Sequence, residues 1–76
     1  MGSNKLYVGN IGYSSTKEQL RELFSGYGSV KNIKLFGDKG FGFVEMSSRA
    51  EAEKAKRALN GHNFQGRTLN VDEVHI

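Results

Sequence analysis

The residues best equipped for chemistry in this chain are aromatic and basic, and they recur at strand spacing. Tyr7 lies two residues after Lys5, and Phe41 and Phe43 follow Lys39 at the same interval. Side chains alternate across a strand, so Lys5 and Tyr7 share one face, as do Lys39, Phe41, Phe43 and Glu45. Flat apolar rings stack on nucleobases at about 1–3 kcal/mol per base, and ammonium groups meet phosphates. Catalysis is poorly supplied by comparison. There is no cysteine, which removes thiol nucleophiles and thiolate metal sites. The histidines, His62 and His75, read as solvated loop and terminal residues. Glu18 and Glu22 stand one helical turn apart beside Lys17 and Arg21, the pattern of a solvated helix face. No glycine-rich phosphate-loop motif occurs. We therefore expect a binding module with no enzymatic activity, no cofactor and no metal site.

The elements that must position these residues can be read along the chain. With 76 residues there is room for one small domain with a thin core. Net charge is +3, from 11 Lys and Arg against 8 Asp and Glu, a mild tilt toward an anionic partner. No apolar run approaches the ~18 residues of a membrane span, and an intracellular setting, nuclear or cytoplasmic, is compatible. Met1-Gly2-Ser3 looks like an expression-vector scar, which leaves residues 4–76 as a single domain. KLYVGNI, residues 5–11, reads as a strand. A helix follows, with Ser15 and Glu18 spaced as a capping box and Leu20, Leu23, Phe24 and Tyr27 as its apolar stripe. VKNIKLF, 30–36, and KGFGFVEM, 39–46, are strands joined by a Gly37-Asp38 turn, hence an antiparallel hairpin. A second helix has Ser48 and Glu51 as its capping box and buries Ala52, Ala55 and Leu59. RTLNVDEV, 67–74, is the last strand.

The order β-α-β-β-α-β predicts an α+β domain of the ferredoxin-like split-βαβ type. It has a four-stranded antiparallel sheet with both helices on one face. Which sheet face those helices cover is decided by four strands agreeing. Leu6, Val8, Ile33, Leu35, Val44, Met46, Leu69 and Val71 form a complete aliphatic face. The opposite face collects Tyr7, Phe41 and Phe43, with Lys5, Lys34, Lys39, Asn32, Asn70 and Asp72 around them. The reverse parity would bury lysines, at several kcal/mol for each unpaired charge. An aromatic cluster left exposed among cations marks a binding surface. The competing structural reading folds a C-terminal tail over this face as additional core.

At this point the residues resemble a known family, the RNA recognition motif. KGFGFVEM is similar to its RNP1 motif, basic-Gly-aromatic-Gly-aromatic-Val-x-aromatic, with Met46 in place of the last aromatic. LYVGNI, residues 6–11, resembles RNP2. The resemblance covers roughly residues 4–74 and implies roles. Tyr7 and Phe43 would be stacking platforms for adjacent bases, and Phe41 would pack against the sugars between them. Lys39 would pair with backbone phosphate. Asn10 and the end of the last strand, Asn70 to Val74 with Asp72 among them, would contact base edges. Lys5, Lys34 and Phe36 are further RNA-contacting candidates. The turn after the second strand is shorter than in many members, so we expect a platform contact with roughly two to four nucleotides and modest affinity. The short turn and second helix also resemble the first such domain of the paraspeckle splicing factors. The pairing of LYVGNI with GFGFVEM is equally similar to small single-domain proteins of bacteria and plants.

The implied partner is single-stranded RNA, with single-stranded DNA left open because stacking does not sense the 2′-OH. Protein partners would use the helical face, and the domain is expected to be a monomer. The rival reading is a protein-interaction domain of the same fold, either of the U2AF-homology type or a dimerisation module. The U2AF-homology type uses an Arg-x-Phe motif and an acidic first helix. Here the matching residues are His62-Asn63-Phe64, the arginine is missing and the first helix is mixed in charge.

Overall fold

Alternating apolar and polar residues produce the predicted sheet in a computed structural model that describes residues 3–12 and 14–74. The elements run β1 (Lys5–Gly9), α1 (Lys17–Ser25), β2 (Val30–Phe36), a single 3-10 turn (Gly37–Lys39), β3 (Phe41–Met46), α2 (Arg49–Leu59), β4 (Asn63–Phe64), β5 (Arg67–Thr68) and β6 (Asn70–Glu73). The main sheet has the order β2-β3-β1-β6, antiparallel at every pairing. Both helices lie on one face of it: α1 beside β2, α2 over β1, β3 and β6. The sheet and helix stripes meet in a core whose largest fully buried members are Phe24, Leu6, Leu20, Met46, Leu59 and Leu69. The parity read from the sequence is the observed one. Leu6, Val8, Val44, Met46, Leu69 and Val71 are buried, Ile33 is 3% exposed, and Leu35 is half-buried against the same cluster.

Several local features differ from the sequence reading. Strand β3 begins at Phe41, not Lys39. Residues Gly37–Lys39 form a 3-10 turn, and Gly40 caps it at φ 80, a left-handed conformation that glycine adopts without strain. Gly40 N–H donates to Phe36 O at 3.0 Å, and its carbonyl accepts from Ile11 N–H at 2.9 Å. That second bond ties the segment after β1 to the turn, and Ile11 beside it is buried core. Lys39 is therefore a turn residue, and strand alternation does not place its side chain.

Helix α1 starts one residue later than expected. Its N-cap is Thr16, in extended geometry, whose hydroxyl accepts from Gln19 N–H at 3.2 Å while Gln19 Oε1 accepts from Thr16 N–H at 2.9 Å. This is a capping box shifted from Ser15-Glu18 to Thr16-Gln19. Ser15 is buried instead, and its hydroxyl donates to Gln65 Oε1 at 2.8 Å. At α2, Ser48 caps as expected by accepting from Glu51 N–H at 3.2 Å. The Glu51 carboxylate accepts from the Ser47 hydroxyl. The predicted strand 67–74 is split. Arg67 and Thr68 pair with Phe64 and Asn63 in a small second sheet, across a Gln65-Gly66 turn with φ 53 and 81. Two successive positive φ values define the tight turn whose twist suits a hairpin. Phe64, expected in a connection, packs from this hairpin against the core.

Candidate nucleic-acid interface

The face opposite the helices is built by β1, β2, β3 and β6. Register brings its aromatic residues together. Tyr7 on β1 pairs with Phe43 on β3, Phe43 pairs with Lys34 on β2, and Phe36 on β2 pairs with Phe41 on β3. The rings form one contiguous cluster. Phe36 and Phe41 have centroids 5.2 Å apart, Phe41 and Phe43 5.7 Å, Tyr7 and Phe41 5.8 Å, and Tyr7 and Phe43 5.9 Å. Tyr7 lies nearly parallel to Phe41, at 29°, whereas Phe43 meets its neighbours edge-on, at 64–83°. Tyr7 and Phe36 are the large hydrophobics exposed among the described residues, at 38% and 37%; Phe41 and Phe43 are half-buried between them. Phe36, a lesser candidate in the sequence, stands inside the cluster.

A glycine positions the Tyr7 ring. Gly9 follows Tyr7 by two residues and so shares its face. A Cβ at Gly9 would lie 2.8 Å from the Tyr7 hydroxyl and 2.9 Å from its ring edge at Cε2. The ring thus lies along β1 in space that a side chain at Gly9 would occupy. Sequence reading missed this role, although the spacing of two from Tyr7 carries the signal.

Lys5, Lys34 and Lys39 are exposed, as are Asn32, Asn70 and Asp72. Lys5 and Lys34, with Asn32, Phe36, Phe43, Val44, Glu45 and Val74, line a groove of about 350 Å³. Asp72 pairs across β1 with Tyr7, and its carboxylate lies 3.8 Å from Lys56 Nζ of α2, which reaches around the sheet edge. Asn10 sits just beyond β1 at φ 62, and its Nδ2 donates to Thr68 O at 2.7 Å. That bond ties the chain just after β1 to β5. Away from this face, His62 is exposed at the β4 approach, and His75 lies outside the described residues.

A four-stranded antiparallel sheet with helices on one side and aromatic rings on the other defines a ferredoxin-like domain with an open platform. The family model for the RNA recognition motif matches residues 6–70, and the chain belongs to that family. A Nostoc protein described as putative RNA-binding protein RbpE is 45% identical over 75 residues, covering 91% of this chain and 76% of that protein. The human cleavage stimulation factor subunit 2 tau variant is also 45% identical over 75 residues, but the match covers only 12% of it. Among solved structures, the C. elegans NONO-1 homodimer superposes with a TM-score of 0.90 at 38% identity. That match covers 95% of this chain and 29% of the other.

Proposed function

We propose that the domain binds short single-stranded RNA across its sheet face. Bases stack on Tyr7 and Phe43, sugars pack on Phe41, and Lys5, Lys34 and Lys39 meet phosphates. Phe36 extends the platform, while Asn10, Asn70 and Asp72 lie where base edges pass. The observation that carries this reading is the aromatic cluster itself. Four rings with centroids 5.2–6.2 Å apart stay at the surface of a domain whose aliphatic core is complete without them. Membership of the RNA recognition motif family and relatives described as RNA-binding support it. The chain is read as a non-catalytic, intracellular, monomeric binding module, with the helical face left for protein partners. Phe64 argues against the tryptophan-gripping alternative, because its ring packs against the core. The short 3-10 turn leaves no long basic loop to clamp the strand, so contact is confined to roughly two to four nucleotides.

Fluorescence anisotropy of a short labelled RNA against wild type and Phe43→Ala tests the platform. The variant is expected to keep its fold in a thermal melt and to lose about 1–3 kcal/mol of binding. Undiminished binding by a folded Phe43→Ala would remove Phe43 from the site.

A further inference from the structure

A carboxylate on an inner strand of a face that meets a polyanion needs a partner. Glu45 follows Phe43 by two residues on β3, on the same face. In register it stands between Lys5 of β1 and Asn32 of β2. Side chains directly opposite on paired strands come within about 4.5–5.5 Å at Cβ, yet Glu45 is in no ion pair. The ion pairs among the described residues join Lys56 to Asp72 and Glu73, and Arg57 to Glu53. Asp72, another acid on this face, thus has a lysine that Glu45 lacks. The hydrogen bond that Glu45 accepts is long, 3.4 Å from Asn4 Nδ2 to Oε2, and the same amide makes a shorter bond, 2.9 Å, to Met46 O. Glu45 is half-buried and lines the groove beside Phe43 together with Lys5, Asn32 and Lys34.

Such a carboxylate repels phosphate and can only accept hydrogen bonds. On RNA the matching donors are on base edges. Of the four bases, guanine alone presents two adjacent donors, N1–H and N2–H, on its Watson–Crick edge. They match the two oxygens of one carboxylate, as bidentate pairing requires. Guanine O6, next to them, accepts from an ammonium or an amide N–H, which Lys5 and Asn32 carry. Distance also fits. Two residues along a strand span about 7 Å, which is the reach of a base centred on Phe43 plus one hydrogen bond from its edge.

We propose that Glu45, flanked by Lys5 and Asn32, selects guanine for the base that stacks on Phe43. This rests on the platform reading above and adds a base identity to it. The test compares a five-nucleotide uridine oligomer carrying one central guanosine with oligomers carrying adenosine, cytidine or inosine there, and with all-uridine. Inosine keeps N1–H and O6 but lacks the N2 amine. Wild type should bind the guanosine oligomer about tenfold or more tightly than the adenosine and cytidine oligomers, with inosine between. Glu45→Gln, with its fold checked by thermal melt, should collapse the guanosine-to-adenosine ratio toward one. Phe43→Ala should weaken every oligomer. If RNA binds and Phe43→Ala weakens it, but wild type shows no guanine preference, the selectivity is overturned while the platform stands. A preference that persists in Glu45→Gln overturns the role of Glu45. If no oligomer binds, both readings fall.

Discussion

At the scale of single residues, the face depends on what is missing as much as on what is present. Tyr7 can lie along β1 because Gly9 has no side chain. Gly9→Ala would place a methyl 2.8 Å from the Tyr7 hydroxyl. The obstacle is the far end of a rotatable side chain, so the ring swings away and the backbone need not move. A thermal melt should therefore change little, since alanine also removes the ~0.5–1 kcal/mol disadvantage of glycine inside a strand. RNA affinity should fall by up to the ~1–3 kcal/mol of one stacked base. Equal affinity for Gly9→Ala and wild type would mean that Tyr7 does not stack in the orientation seen here.

At the scale of elements, the two helix starts show how the chain secures its ends on the side away from the platform. The Thr16-Gln19 box satisfies N–H groups that α1 leaves unpaired. Thr16→Ala should cost about 1 kcal/mol, a drop of roughly 4–8 °C in Tm for a domain of this size, with RNA affinity unchanged. A melt indistinguishable from wild type would deny the cap its role. At α2, the Ser47 hydroxyl donates to the Glu51 carboxylate and holds its pKa below the ordinary glutamate value of 4.5; desolvation, the next largest influence, opposes it, and Ser29 and Ser48 add smaller lowering contributions. The folded state therefore releases this proton more readily than the unfolded state. The stabilisation is present above about 4.5 and is lost as pH falls through the lower folded value. Melts of wild type and Glu51→Gln across pH 7 to 3 check this. Wild type should lose its advantage over the variant at the acid end, and a constant gap would show that the carboxylate's charge is irrelevant.

At the scale of the whole molecule, a net charge of +3 is too small to make affinity mainly electrostatic. What matters is that Lys5 and Lys34 line one groove of the platform face and that Lys39 is exposed in the turn that precedes β3. Binding to a single strand should weaken with salt at a slope of about −0.7 per phosphate neutralised, so these lysines set a slope near −2. Lys34→Ala should make that slope shallower by about 0.7, measured by anisotropy over a salt series. An unchanged slope would remove Lys34 from the phosphate path.

Much of this architecture is legible in the sequence, because its signals are local and mutually consistent. Period-two alternation in four strands fixes a common parity, and the helical stripes Leu20-Phe24 and Ala52-Ala55-Leu59 find the aliphatic face they need. The element order and the placement of Tyr7 and the RNP1 phenylalanines on the face away from the helices follow from that agreement. Features set by backbone conformation or by contacts between distant segments are different. Ser15 and Thr16 are both plausible caps by type; the contact of Ser15 with Gln65, fifty residues away, decides between them. Lys39 alternates correctly on paper but belongs to a 3-10 turn closed by Gly40. The Gln65-Gly66 hairpin lacks the usual Asn-Gly signature. That Glu45 stands opposite Lys5 without forming an ion pair depends on register and side-chain reach between strands. Alternation tells which face a residue is on, and so the sequence by itself determined the fold, the buried side and the aromatic platform. Distances between residues on different strands arise from register, twist and turn geometry, and so the tertiary structure alone decided how the rings, Gly9 and Glu45 are arranged on that platform.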